Sequence, residues 1–165
     1  MYLRGVFSTH MGKTMVISGL LAFICPIILK RMITTLSLKR VYYSSLLLLY
    51  TILILYLTIF NRDIADKNTI NLLPFWTYRN FLQPQYRWEI YMNIFLFVPY
   101  GVLVNVALGK SGFKTIIYAF LLSVSIEFIQ YEFKLGMCEF DDVFHNTIGA
   151  LSGYYYWKML DRLSF

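Results

Sequence analysis

Long apolar runs separated by short polar stretches dominate the hydrophobic pattern of this chain. The clearest run, 41–60, has 20 residues and no charged side chain, and a helix of that length crosses the ~30 Å hydrocarbon core of a bilayer. Similar runs cover 90–108 and 113–131, and a more polar run covers 143–160. A run at 14–29 predicts a first span, or else a helix that only skims the surface.

These runs predict the fold class. We expect an all-α, polytopic transmembrane helix bundle with about five spans, forming a single membrane domain over 1–165. The last run ends in Tyr154, Tyr155, Tyr156 and Trp157, and aromatic residues of this kind are enriched where a helix leaves the membrane.

A shorter apolar stretch lies within the interfacial segment, which we define as residues 70–83. It includes Leu72, Leu73, Phe75 and Trp76, so it is too short to span a bilayer and too apolar for an open loop. We expect it to lie in the membrane interface or to re-enter the membrane, with Arg79 at its polar edge. The alternative is an aromatic anchor with no further role.

The composition agrees with a lipid environment. Hydrophobic residues make up 58% of the chain and charged residues only 15%, with a formal net charge of +6; a soluble domain carries more charge. The basic residues flank the apolar runs, which indicates contact with membrane lipids and not with nucleic acid. Basic clusters at 30–40, at 110–114 and near the C-terminus predict a cytoplasmic C-terminus and an N-terminus outside the cell.

Polar residues inside the apolar runs are the candidates for function, because unpaired polar groups at membrane depth are energetically costly. Pro99 and Gly101 are expected to loosen the third run and to free backbone carbonyls that need a donor. Helical spacing places the polar residues on one stripe of each run: Glu89, Asn93 and Tyr100; Ser123, Glu127 and either Gln130 or Tyr131; and Asp142, His145, Asn146, Gly149 and Gly153.

Glu127 and Asp141 each leave two interpretations open. Glu127 is either a structural carboxylate paired to Arg79 or Arg87, or a functional acid or base. Asp141 is either the N-cap of the last helix or part of a binding site.

The sequence favours neither a metal nor a cofactor. Cys25 and Cys138 fit no disulfide framework and no zinc spacing, and His145 has no second histidine at helical spacing. Glu127, Asp142 and His145 would form a three-ligand site only if their helices faced each other. We therefore predict no metal and no cofactor.

Gly149 and Gly153 form a GxxxG pattern. Such a pattern lets a second helix approach closely, and that helix belongs either to the same chain or to a homodimer partner.

Taken together, these motifs resemble the VanZ-like family of bacterial membrane proteins. Many members carry an arginine before the last acidic motif, where this chain has Lys134. The resemblance rests on five pieces in order: Asn71-Leu72-Leu73-Pro74-Phe75; Asn93-Ile94-Phe95-Leu96-Phe97-Val98-Pro99-Tyr100-Gly101; Ser125-Ile126-Glu127-Phe128-Ile129-Gln130; Glu139-Phe140-Asp141-Asp142-Val143; and Asn146-Thr147-Ile148-Gly149-Ala150.

The resemblance implies a bacterial cell-membrane protein linked to resistance against the glycopeptide teicoplanin. Our first hypothesis is a non-enzymatic protein whose outer-leaflet pocket binds a lipid-linked wall precursor or a lipophilic glycopeptide. The pocket would draw on these residues: Asn71, Pro74, Phe75, Asn93, Pro99, Glu127, Gln130, Asp141, Asp142, His145 and Asn146.

Two alternatives remain. An intramembrane enzyme would use Glu127 or Asp142 as the base and His145 as an acid or a metal ligand, although no nucleophile motif is present. Asn93 or Asn146 would stabilise the developing charge. A proton-coupled transporter would relay protons through the same carboxylates, although no inverted repeat is evident. The sequence favours binding over catalysis.

Overall fold

The computed structural model describes residues 36–62, 64–109 and 111–163, together with scattered helical positions between 17 and 28. The predicted first span, 14–29, lies mostly outside the described residues. The described elements follow in this order: α1 (Leu36–Leu55), a π-helical turn (Tyr56–Phe60), β1 (Thr69–Asn71), α2 (Trp76–Arg79), α3 (Pro84–Leu108), α4 (Gly112–Glu132), β2 (Met137–Glu139) and α5 (Phe140–Leu163).

The all-α helical bundle that the sequence predicts is confirmed. Among the described residues, three helical stretches are long and apolar enough to cross a membrane: Leu38–Phe60, Pro84–Leu108 and Gly112–Glu132. They correspond to the second, third and fourth predicted runs. α5 is helical throughout the fifth run, 143–160, but it is not one of these three.

Local sequence signals set the helix ends. Pro84 begins α3, where a missing backbone N–H does no harm. Gly109 ends the helix in the left-handed conformation (φ 57°), and its N–H donates to the carbonyl of Asn105. Ser111 then caps α4 by accepting from the backbone N–H of Lys114 at 3.4 Å. The turn between α3 and α4 is therefore tight and brings the two helices back antiparallel.

α3 and α5 pack with their backbones nearly in contact. A Cβ at Gly149 would collide with the carbonyl oxygen of Ile94, and one at Gly153 would collide with that of Val98. Gly101, which belongs to α3, approaches the backbone of α5 equally closely. The GxxxG pattern is thus occupied within the chain, and a homodimer through Gly149 and Gly153 stays an untested prediction.

A tyrosine of α1 supports α3 near its internal proline. Pro99 has no N–H, so the carbonyl of Phe95 lacks its normal helical donor. One residue further on, the carbonyl of Leu96 accepts a hydrogen bond of 2.9 Å from the buried hydroxyl of Tyr50. A neighbouring helix thus supplies a donor next to the carbonyl that Pro99 frees, although the hydrogen bond goes to Leu96 and not to Phe95.

The connections at one end of the bundle pair as a small parallel sheet. β1 and β2 align so that Ile70 faces Cys138 and Asn71 faces Glu139. The hydrophobic pattern does not predict these three-residue strands, because they are too short to show an alternation. Their pairing brings the chain before α2 against the start of α5.

Candidate functional site

Four carboxyl groups from four different elements meet at this end of the bundle. Glu89 comes from the first turns of α3, Glu127 from the last turns of α4, Glu139 from β2 and Asp142 from the first turn of α5. We call these four residues the carboxylate cluster. Glu127 is only 3% exposed, and Asp142 acts electrostatically on each of the other three.

Amide and backbone donors hold the cluster together. The side-chain amide of Asn93 donates to Asp142 Oδ1 at 2.6 Å, and the backbone N–H of Glu139 donates to Glu127 Oε2 at 2.9 Å. The side chain of Asn71 hydrogen-bonds to Glu139. The carboxyl groups of Glu127, Glu139 and Asp142 are thus each fixed by a donor from another element, as in a preorganised site.

A positive charge acts on the cluster from Arg62, in the loop after the π-helical turn. It acts electrostatically on Glu89, Glu127 and Asp142. Its Nε is buried and has no hydrogen-bond partner in the described part of the chain. A Cβ at Gly136 would lie 2.6 Å from Nη1 of Arg62, so the glycine makes room for the guanidinium.

Arg62 replaces the partners that the sequence suggested for Glu127. We expected Arg79 or Arg87 to be that partner, but the cation that acts on Glu127 is Arg62. Nothing in the local sequence indicates its role, because the β1–β2 pairing, which the sequence does not predict, folds its loop beside residues 133–139. The guanidinium of Arg62 therefore lies beside the loop that follows α4, in which Lys134 is the basic residue that the sequence itself provides.

Glu139 has the clearest perturbed acidity outside the membrane spans. Burial raises its pKa to about 8, and the negative charges of Asp142 and Glu89 act in the same direction. The hydrogen bond from Asn71 only partly opposes this shift. Glu139 therefore holds a proton for much of the time at neutral pH and can donate a hydrogen bond.

Asp141 is adjacent to Asp142, and its charge acts on Asp142 and Glu139, but its hydrogen bonds go to the interfacial segment. Its buried carboxylate accepts hydrogen bonds from the backbone N–H of Phe75 at 2.7 Å, from the N–H of Thr77 at 2.8 Å and from the Thr77 hydroxyl at 2.8 Å. Phe75 follows Pro74 and has a left-handed backbone, with φ 61°. Asp141 therefore anchors the interfacial segment, and its three bonds explain why a non-glycine residue keeps this conformation.

His145 also faces the interfacial segment. Its Nε2 lies 2.9 Å from the hydroxyl of Tyr78, and its Nδ1 is buried without a partner among the described residues. Burial and the nearby charge of Asp141 raise the pKa of Tyr78, so the hydroxyl keeps its proton and can donate it to Nε2. Among the described residues, no group of three or more His, Cys, Asp and Glu side chains has the geometry to hold a metal ion.

Other predicted site residues bridge helices away from the cluster. The Asn146 amide donates to the Ser123 hydroxyl at 2.8 Å, and the Gln130 amide donates to the carbonyl of Thr58 at 2.8 Å. This carbonyl lies in the π-helical turn, where the normal α-helical partner is lost. The amide oxygens of Gln130 and Asn146 are buried without a partner in the described part of the chain.

The structure thus divides the predicted site. Asn71, Asn93, Glu127 and Asp142 come together, with Glu89, Glu139 and Arg62 added to them. Pro74, Phe75, Asp141 and His145 belong to the interfacial segment and its anchors. Pro99, Gly149 and Gly153 lie deeper, between the helices.

An apolar helical bundle with a buried polar cluster at one end defines a polytopic membrane protein. The chain belongs to the VanZ/LLP1 family, whose model matches residues 47–161. It is similar to Protein VanZ of Enterococcus faecium, with 30% identity over 117 residues, covering 66% of this chain and 69% of the relative. No solved structure matches the chain significantly.

Proposed function

We propose that this chain is a multi-pass protein of the bacterial cell membrane that binds an amphiphilic ligand at its carboxylate cluster. The ligand is a lipid-linked wall precursor or a lipophilic glycopeptide at the outer leaflet, and binding contributes to teicoplanin-type resistance. The observation that carries the proposal is the meeting of four carboxyl groups, two amides and one guanidinium at one end of an apolar bundle.

Energetics support a binding role for this cluster. Buried charged groups are usually less favourable for stability than apolar packing of the same volume. The cluster offers acceptors, donors and a cation within one small region, and such a mixture suits the amines, amides and hydroxyls of a peptide or sugar. A ligand that also carries an acyl chain can keep that chain in the adjacent bilayer.

The family relationship supports the envelope role. The relative is named Protein VanZ, and the resemblance of this chain to VanZ-like proteins implies a link to teicoplanin. Because teicoplanin carries an acyl chain, a site beside the lipid would distinguish it from glycopeptides that lack one.

Susceptibility measurements test this proposal. The chain is expressed in a teicoplanin-susceptible bacterium, and Glu127→Gln and Asp142→Asn are compared with the unchanged protein at equal membrane abundance. We expect the unchanged protein to raise the inhibitory concentration of teicoplanin several-fold, and both variants to lose most of that gain. A glycopeptide without an acyl chain should show little difference.

Glu132→Gln is the matched control. Glu132 ends the same helix and is exposed, so its change should leave resistance intact. Resistance that survives both Glu127→Gln and Asp142→Asn would contradict the proposal.

A second candidate is an enzyme acting on lipid or peptidoglycan precursors. The observation that favours it is the raised pKa of Glu139, about 8, beside other carboxyl groups, because acid–base catalysis needs neighbouring groups in different protonation states. Mass spectra of lipid-linked precursors from cells with and without the protein test this candidate. Unchanged spectra would contradict the enzyme candidate and leave the binding role.

A further inference from the structure

The interfacial segment turns a row of apolar side chains away from the rest of the protein. Leu82 is 93% exposed and Leu72 is 66% exposed, and Leu73, Phe75 and Phe81 are exposed as well. Five exposed apolar side chains within eleven residues are unfavourable in water and mark a surface that contacts another apolar phase.

Several contacts hold the backbone of this segment in place. β1 pairs with β2 at its start, Asp141 accepts from the N–H groups of Phe75 and Thr77, and His145 contacts Tyr78. The apolar side chains are therefore presented outward by a fixed backbone, and their exposure is a property of the fold.

These exposed side chains immediately precede a membrane span in the sequence. The segment leads directly into the span Pro84–Leu108, whose first turns expose Trp88 and Tyr91. The guanidinium of Arg87 lies 5.9 Å from the ring centre of Phe81, and Arg79 in the same segment is exposed. Arginine and aromatic residues next to exposed leucines are typical of the boundary between headgroups and acyl chains.

We infer that the outward face of the interfacial segment is inserted into the bilayer leaflet at this end of the bundle. The partner is the phospholipid itself: acyl chains contact Leu72 and Leu82, and headgroup phosphates contact Arg79 and Arg87. The segment is anchored beside the carboxylate cluster through the hydrogen bond between Asn71 and Glu139, so the inserted segment places lipid next to the cluster.

Spin labels test this inference in reconstituted liposomes. Leu82→Cys and Leu72→Cys are labelled in a Cys25→Ala, Cys138→Ala background, and their accessibility to oxygen and to a water-soluble nickel chelate is compared. We expect both labels to be more accessible to oxygen, which concentrates in the acyl region, than to the chelate.

Lys67→Cys serves as the matched control, because Lys67 is exposed in the loop before β1 and should be accessible to the chelate. Labels at 72 and 82 that behave like the one at 67 would place the segment in water and overturn the inference. Labels shielded from both reagents would show a protein partner, such as a second copy, and would overturn it too. The measurement uses no ligand, so it stands or fails separately from the proposed function.

Discussion

Asp141 and Asp142 are neighbours in sequence but contact different parts of the structure. On a helix they point about 100° apart, so Asp141 faces α2 and Asp142 faces Asn93 of α3. Asp141 satisfies three donors of the interfacial segment, whereas Asp142 joins the carboxylate cluster. A sequence motif that contains both aspartates does not show which one anchors a segment and which one belongs to the binding site. That distinction depends on which element packs on each face of the helix.

Glu139 should make stability depend on pH. Its folded-state pKa of about 8 exceeds the ordinary 4.5, so folding favours the protonated form. This contribution is fully present below about pH 4.5 and is lost as the pH rises through about 8. Glu139→Gln should therefore flatten the fall in thermal stability between pH 5 and 9, measured in detergent.

The control for this titration is Glu132→Gln, at the exposed end of α4, which should keep the wild-type slope. The explanation fails if Glu139→Gln and the wild type lose stability with pH at the same rate.

At the scale of elements, the seam between α3 and α5 is set by small residues. Gly153→Ala would press a methyl group onto the carbonyl oxygen of Val98. Because backbone atoms cannot move aside easily, we expect a loss of about 1–3 kcal/mol in the free energy of unfolding. Ser152→Ala, on the exposed side of the same turn, should change it by less than about 0.5 kcal/mol. Equal stability of the two variants, measured by denaturation in mild detergent, would mean that the helices can separate without cost.

Elements differ in how far the sequence predicts them. α1, α3 and α4 follow from hydropathy alone, because 20 or so apolar residues have one low-energy arrangement in lipid. β1 and β2 do not, because three-residue strands have no periodicity and form only when two loops meet. Arg62 was missed for the same reason: its place beside Gly136 depends on that meeting.

At the scale of the whole molecule, helical periodicity predicts which face of each helix is polar. It predicts less well which of those polar residues form the site. Asn93, Glu127 and Asp142 were expected to converge and are found in one cluster. His145 shares its stripe with Asp142 but lies against Tyr78, because the interfacial segment covers that side of α5. Periodicity identifies the face of a helix, whereas the packing of a loop decides which residues of that face meet.

The orientation of the bundle decides which ligands can reach the cluster. The distribution of basic residues predicts an N-terminus outside and a C-terminus inside, which places the loop holding Lys67 outside and the start of α4, with Lys114, in the cytoplasm. In a Cys25→Ala, Cys138→Ala background, a membrane-impermeant maleimide should label Lys67→Cys in intact cells and Lys114→Cys only after lysis. Both positions are exposed, so the difference reports topology and not burial. The reverse pattern would place the carboxylate cluster at the cytoplasmic leaflet, where an extracellular glycopeptide cannot reach it and only a precursor on the inner face remains as a ligand.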